Sequence, residues 1–170
     1  MESMRFLRLA VFGAALSAAP GLVSAQGTTR DALAGNWNEI ARKLVAMAQE
    51  FPEDKYDFRP TPEVRTFAQQ MLHVAFWNQY LAKKAQGQNP DGKLNELARA
   101  QYKTKAAVVK VVRSSSDEAA AVLKSMTDEQ VLKTLALWDG FTEHNGEHYG
   151  QLVMYYRLNH LVPPESRPAK

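Results

Sequence analysis

Residues 127–159 read TDEQVLKTLALWDGFTEHNGEHYGQLVMYYRLN and contain no proline. Thr127 and Gln130 form a capping-box pattern, in which a threonine at the N-cap and a glutamine three residues on satisfy free backbone N–H groups. Asn159 suits the helix C-terminus, and Pro163-Pro164 then prevents the helix from resuming. The stretch predicts one long final helix.

Three glycines interrupt this predicted helix, at Gly140, Gly146 and Gly150. Each costs about 1 kcal/mol relative to alanine inside a helix. Three such residues in one helix therefore indicate close packing against a neighbour or a ligand nearby.

The segment that follows residue 28 predicts a first helix and a loop. Apolar residues at steps of three and four predict a helix over residues 29–49, with Thr28 or Thr29 as its N-cap. Residues 51–65 contain three prolines and no clear period, which predicts a loop. We expect this loop to pack on the core through Tyr56, Phe58 and Val64.

Two more helices are predicted between this loop and the final helix. Thr66 and Gln69 repeat the capping-box pattern, so a helix is expected from there to about Ala85. Its apolar stripe passes through either Trp77 or Asn78. After a turn-rich break at 87–92, residues 94–125 are predicted as one long helix. No strand pattern stands out, and four helical segments predict an all-α fold, a four-helix bundle.

The composition is that of a folded globular protein with a single domain. Hydrophobic residues make up 45% and charged residues 23% of the 170 residues. The absence of cysteine excludes disulfides, cysteine zinc sites, iron–sulfur clusters and thiol nucleophiles. A net charge of +3 without a clustered basic patch is too small to indicate nucleic-acid binding. We therefore expect no nucleic-acid partner.

The first 25 residues have the layout of a secretory signal peptide. Arg5 and Arg8 precede an apolar run of 11 residues, and small residues up to Ala25 form a cleavage site. The run is too short to span a bilayer comfortably; the other interpretations are an uncleaved anchor or a helix of the fold. We predict cleavage after Ala25, a periplasmic or secreted domain over residues 26–170, and no stable membrane insertion after cleavage.

Any transition-metal site in a chain without cysteine depends on histidine and carboxylates, and this chain has four histidines. His144 and His148 are four residues apart on one helix face, roughly 6 Å apart at Cβ, a spacing that can chelate one metal ion. His73 lies on the second predicted helix and can complete a three-histidine site if helices two and four face each other. The other interpretation is a set of half-buried, hydrogen-bonded histidines. His160 is interpreted as compensating the helix dipole.

Several segments together resemble the DinB-like family, the DinB/YfiT-like superfamily. The most specific are the HxxxHxGQL motif that begins at His144 and the segment Leu72-His73-Val74-Ala75. Residues 36–40, 51–60 and 143–164 are also similar to the family, so the resemblance covers nearly all of residues 26–170. This family is not the DNA polymerase that shares the name.

The resemblance implies a four-helix bundle that binds a metal through three histidines, which match His73, His144 and His148. Family metals include zinc and nickel, many members are homodimers, and some relatives transfer low-molecular-weight thiols. The family commonly has glycine where this chain has His160, so Asn159 is expected to supply the left-handed residue instead. The stretch between the third helix and His144 is also shorter than the family pattern implies.

A divalent transition metal is therefore the expected cofactor. Three neutral imidazoles suit zinc, nickel, copper or iron; we expect zinc, with nickel as the alternative. Candidate neighbours of the metal are Glu147, Tyr149 and Gln151, and no catalytic acid or base is assigned. The aromatic residues can line a pocket, although most are expected in the core or a dimer interface: Trp37, Trp77, Tyr80, Trp138, Tyr155 and Tyr156.

Three functions remain open from the sequence, of which one, membrane-associated binding through the N-terminus, depends on the signal segment staying uncleaved. The first is a metal-dependent enzyme, a hydrolase or transferase that acts on an unknown small molecule. Export makes thiol transfer with cytosolic cofactors less natural. The second is a non-catalytic metal-binding or stress-associated bundle that self-associates as a homodimer.

Overall fold

Threonine side chains start four of the helices. In the computed structural model, which describes residues 28–168, Thr28, Thr66, Thr104 and Thr127 each accept a hydrogen bond from the backbone N–H three residues on. At all of these except Thr104 the third residue returns a bond and completes a capping box. The capping boxes predicted at Thr66 and Thr127 are confirmed. The predicted signal peptide, residues 1–25, lies outside the described residues.

Residues 28–168 form five α-helices, four of which begin at these caps, and contain no strand. They are α1 (Thr29–Glu50), α2 (Phe67–Ala85), α3 (Lys105–Ser125), α4 (Asp128–Lys133) and α5 (Leu135–Leu158). Single 3-10 turns occupy Glu53–Lys55, Arg99–Gln101 and Pro164–Ser166. The all-α prediction is confirmed: the four long helices form the bundle, and α4 is a short addition that packs against α1.

Two helix boundaries differ from the prediction. The third helix begins at Lys105 rather than Leu94, because Thr104 is its N-cap and Asn95 takes a left-handed φ of 59° that a helix cannot include. The final helix is divided at Thr134, which has φ −111° and ψ 11° and whose hydroxyl donates to the carbonyl of Gln130 at 2.8 Å. The backbone N–H of Thr134 also donates to this carbonyl at 3.1 Å, so the change in φ and ψ, and not a lost hydrogen bond, divides the helix.

The four long helices form a ring in which α1 and α2 lie on opposite corners. Each of these two helices packs against both α3 and α5. The second helix and the final helix are therefore neighbours, as the metal-site hypothesis requires. Among residues 28–168, no helix combines the length and the apolar character that crossing a membrane requires.

A fully buried polar layer crosses the bundle between two apolar clusters. Trp37 Nε1 on α1 donates to the backbone carbonyl of Ser116 on α3 at 3.1 Å. Asn78 on α2 donates to Ser116 Oγ at 3.1 Å and accepts from Asn145 Nδ2 on α5 at 3.0 Å. One side of this layer is centred on Phe51, Phe67 and Tyr156, and the other on Trp37 and Trp138. The layer thus ties together all four long helices.

The loop over residues 51–65 packs on the core only in part. The Tyr56 side chain is buried, and its hydroxyl donates a hydrogen bond to the carbonyl of Ala48. The Phe58 ring makes an edge-to-face contact with the core residue Tyr155. Val64 is 39% exposed, so the prediction that it packs down is wrong. Residues 61–64 form a turn, closed by a hydrogen bond from the Val64 N–H to the Thr61 carbonyl at 3.3 Å, at the surface of the loop.

The end of α5 corrects the prediction for Asn159. This residue has φ −98°, whereas His160 takes the left-handed φ of 58°. The N–H of His160 donates to the carbonyl of Arg157, and the N–H of Leu161 donates to that of Tyr156. These two bonds define a Schellman motif, whose left-handed position is normally glycine. His160 therefore supplies the left-handed position of this motif.

His160→Gly is expected to stabilise the protein by about 0.5–1 kcal/mol. Glycine removes the strain of the left-handed conformation, and this gain exceeds the extra chain entropy that glycine loses on folding. Chemical denaturation measures the change. Asn159→Gly is the matched control and should not stabilise, because its φ is negative. Equal effects at the two positions would contradict the assignment.

Candidate metal centre

Two neighbouring helices bring three histidines together at their interface. His73 comes from α2, and His144 and His148 come from successive turns of α5. The Nε2 atom of His144 lies 3.1 Å from Nε2 of His73 and 3.1 Å from Nε2 of His148. The donor atoms of all three residues lie within 4.8 Å of one another. The predicted residues thus form one cluster, whereas His160 lies outside it.

The orientation of the His73 ring is set by the loop after α2. Its Nδ1 lies 2.6 Å from the backbone carbonyl of Asn95. Since a carbonyl can only accept, Nδ1 carries the proton and Nε2 presents its lone pair to the other two histidines. A second contact of this kind orients many histidine ligands of metals.

The three Nε2 atoms cannot all be satisfied by protons. With the proton of neutral His73 on Nδ1, the contact to His144 is a hydrogen bond only if His144 carries its proton on Nε2. His144 Nε2 then cannot accept from His148, and if His144 carries its proton on Nδ1 instead, its Nε2 cannot donate to His73. Every neutral arrangement therefore leaves one of the two 3.1 Å contacts without a hydrogen bond. A cation between the three lone pairs would replace both contacts.

Burial keeps these imidazoles neutral. His73 and His148 are each 6% exposed, and His144 is half-buried. Burial lowers the pKa of His73 to about 4 and that of His148 to about 3, and it also lowers the pKa of His144. The Arg65 guanidinium, which pairs with Glu96 at 2.8 Å, acts in the same direction. Neutral imidazole is the form that binds a metal.

An apolar cleft opens beside His144, the most exposed member of the cluster. Its volume is about 320 Å³. Its walls are almost entirely apolar, and they consist of Trp77, Ala136, Leu137, Gly140, Phe141 and His144 itself. The cleft gives the histidine cluster an approach from solvent.

The sequence comparison adds a family to this geometry. Residues 36–161 match the family model described as the DinB superfamily. The chain belongs to the DinB superfamily. No curated protein and no solved structure shows a significant similarity to it. The histidines lie on α2 and α5, and both helices fall within the matched range. The family assignment and the histidine cluster therefore concern the same part of the molecule.

The donor set of this DinB superfamily chain fits a transition metal. Tetrahedral zinc with Zn–N distances of about 2.0–2.1 Å separates two ligand nitrogens by roughly 3.3 Å, close to the 3.1 Å observed. Within the described part of the chain, the buried Nδ1 atoms of His144 and His148 have no hydrogen-bond partner. A neutral imidazole that binds a metal through Nε2 carries its proton on Nδ1.

The candidate neighbours differ in how they relate to the cluster. Gln151 is on its rim, where its Oε1 accepts from Gln70 Nε2 at 3.0 Å. Glu147 is exposed, and Tyr149 packs on the opposite side near Lys43. Tyr149 is therefore not brought to the site, whereas the Glu147 carboxylate acts on His144 and opposes the lowering of its pKa by burial.

Asn95 is the residue that sequence reasoning missed. It contacts His73 through its backbone carbonyl and Trp77 through its side chain. An asparagine in a turn-rich segment can take a left-handed φ, but nothing in the sequence indicates that its carbonyl reaches helix α2.

Trp77 and Tyr80 border the cleft region, whereas the other aromatic residues named from the sequence are buried in the core: Trp37, Trp138, Tyr155 and Tyr156.

The glycines of α5 are not explained by close packing. A Cβ added at Gly140, Gly146 or Gly150 would meet no atom within 4 Å. The packing interpretation is therefore wrong. Gly140 lines the cleft, which leaves the interpretation of a nearby ligand in place for that glycine alone.

The metal-free protein is expected to lose stability as the pH falls from 6.5 towards 4. In this range the unfolded chain binds protons at His73 and His148, while the folded chain, with pKa values of about 4 and 3, does not. Because the unfolded state then holds more protons, the free energy of unfolding falls by up to about 1.4 kcal/mol per pH unit for each histidine.

Denaturation between pH 6.5 and 5 in the presence of a chelator measures this slope above the range in which carboxylates titrate. His148→Gln should reduce the slope, and His160→Asn, an exposed control, should keep it. An unchanged slope in His148→Gln would refute the explanation.

Proposed function

We propose that this protein is a metal-dependent enzyme, a hydrolase or transferase acting on a small molecule, and that His73, His144 and His148 hold the metal. The observation that carries the proposal is the convergence of three neutral imidazole Nε2 atoms, with contacts of 3.1 Å that protons alone do not satisfy. Membership of the DinB superfamily supports it.

Zinc is the metal we propose, with nickel as the alternative. Three protein ligands leave a coordination position open, as in catalytic rather than structural zinc sites. A metal in such a site can lower the pKa of a bound water to about 7 and so supply a nucleophile or base at neutral pH.

The chain's own residues prepare the site rather than carry out proton transfer. The Asn95 carbonyl holds the His73 ring in one tautomer. Burial and Arg65 keep the imidazoles unprotonated. The cleft beside His144 presents an apolar wall on which a small molecule can lie. No protein side chain in the cluster is assigned as the acid or base.

Metal analysis of protein purified without a metal-binding tag tests the ligand set. We expect about one zinc or nickel per chain in the wild type and substoichiometric metal in His73→Ala and His148→Ala, with His160→Asn as the control that keeps its metal. Hydrolase and transferase substrate panels on the loaded wild type and on His73→Ala then separate an enzyme from a metal-binding bystander. A metal content that stays at the wild-type level when these histidines are replaced by alanine would contradict the proposal.

A homodimer is part of the proposal. Three apolar side chains near the C-terminal end of α5 are about half exposed: Met154 (53%), Leu158 (50%) and Val162 (55%). A second copy that covers them would remove this apolar area from water. Light scattering should report a dimer that Met154→Glu with Leu158→Glu dissociates. Leu132→Glu, at a 61% exposed position on α4, is the control that leaves it intact.

We also propose that residues 1–25 are removed on export and that the domain acts in the periplasm or outside the cell. The basis is the charged start, short apolar run and small-residue site in the sequence. N-terminal sequencing of the protein from a periplasmic fraction should begin at Gln26. An intact Met1 there would refute cleavage.

A further inference from the structure

We infer that the cleft beside His144 binds an apolar, ring-sized part of the substrate and directs the substrate's polar, reacting group towards the three histidines. This inference rests on the proposed function, because it places the substrate relative to the proposed metal. It adds the substrate class: a small molecule with one aromatic or alicyclic ring next to a metal-binding polar group.

The walls of the cleft suit a ring. The rings of Trp77 and Phe141 contact each other, with centroids 6.0 Å apart and a tilt of 50°, and together form one aromatic wall of the cleft. Leu137 and Ala136 close another side. A volume of about 320 Å³ is at the small end of ligand pockets and accommodates a single ring.

The chemistry of the lining excludes a charged tail. None of the residues that line the cleft carries a charged side chain. The cation that acts on the histidines, Arg65, is already paired with Glu96 at 2.8 Å. A phosphate or carboxylate placed in the cleft would lose its hydration without gaining a partner. The polar end of the ligand therefore belongs at the histidines and the apolar end in the cleft.

The Trp77 wall is held in place before any ligand arrives. Its Nε1 donates to Asn95 Oδ1 at 3.0 Å, and its ring lies against the backbone at Gly92, where an added Cβ would come within 3.2 Å. Asn95 is also the residue that orients His73. Asn95 thus orients both the metal ligand His73 and the Trp77 wall of the cleft. The position of the cleft wall relative to the histidines is therefore fixed.

Gly140 provides the means to test the cleft. It lies on the cleft wall, and a Cβ there would meet no atom within 4 Å, so a larger side chain can enter the open space without disturbing the helix. Gly150, on the same helix, has equally open surroundings but does not line the cleft. Substitution of leucine at these two positions gives a matched pair of variants. In both, leucine has a higher helix propensity than the glycine that it replaces.

The test compares two zinc-binding probes on the zinc-loaded full chain by calorimetry. Benzohydroxamic acid and acetohydroxamic acid share the chelating group and differ in the ring. We expect the wild type to bind the benzo compound at least tenfold more tightly, since burial of a ring in an apolar cleft is worth that much or more. Gly140→Leu should remove most of this preference, and Gly150→Leu should retain it.

The outcomes separate the two levels of the proposal. Tight binding of both probes with the same ratio in the wild type and Gly140→Leu would overturn the cleft inference and leave the three-histidine metal site standing. Failure of zinc to bind the wild type would overturn the proposed function and the inference together. Thermal melts of both leucine variants confirm that a lost preference does not reflect unfolding.

Discussion

Zinc is expected to raise the free energy of unfolding of the metal-free protein by about 4 kcal/mol when free zinc is about 1,000-fold above its dissociation constant. For a domain of this size the gain corresponds to a rise in Tm of roughly 8–16 °C. The physical reason is that only the folded chain brings the Nε2 atoms of His73, His144 and His148 together. Thermal melts with zinc and with a chelator measure the difference.

His148→Ala is the decisive variant for this result. Loss of one of three ligands is expected to weaken zinc binding at least about 100-fold, which removes about 2.7 kcal/mol of the zinc-dependent gain. His160→Asn removes the remaining histidine of the chain, keeps a residue that tolerates a left-handed φ, and should retain the full gain. Equal responses of these two variants to zinc would show that the metal binds elsewhere.

Asn78→Ala is expected to lower the free energy of unfolding by about 2–4 kcal/mol. The side chain is completely buried and bonds to Ser116 on α3 and Asn145 on α5. Its removal leaves Asn145 Nδ2 without its acceptor and opens a cavity in the polar layer. Urea denaturation gives the change directly.

The same substitution at Asn38, an exposed position of α1, is the control and should change stability by less than about 0.5 kcal/mol. The double variant with Asn145→Ala should cost less than the sum of the single variants, because Asn145 no longer needs its partner. If Asn78→Ala costs no more than Asn38→Ala, the polar layer does not stabilise the bundle as argued.

The helices that sequence patterns predicted well are those with caps and regular stripes. The threonine caps at Thr66 and Thr127 are local signals, because each is satisfied by a residue three positions on. The apolar stripe of α2 left a choice between Trp77 and Asn78 for the core. The structure buries the asparagine, because its partners on two other helices satisfy it, and no local pattern contains those partners.

The candidate site was predictable to the extent that it depends on helix geometry. The spacing of His144 and His148 places both on one face of α5, and the adjacency of α2 brings His73 to them. The contacts of Asn95, the division of the final helix at Thr134 and the cleft depend on how distant segments pack. Such tertiary contacts override local propensity, which is why residues 94–104 form a loop with one 3-10 turn and not part of an α-helix.

The contact between His73 and the carbonyl of Asn95 has a consequence for how the loop can change during evolution. The acceptor belongs to the main chain, so substitution of the side chain at this position does not delete it. Insertion or deletion of a residue between α2 and the 3-10 turn Arg99–Gln101 would shift a different carbonyl, or none, to His73. The length of this loop should therefore be under stronger constraint than its composition.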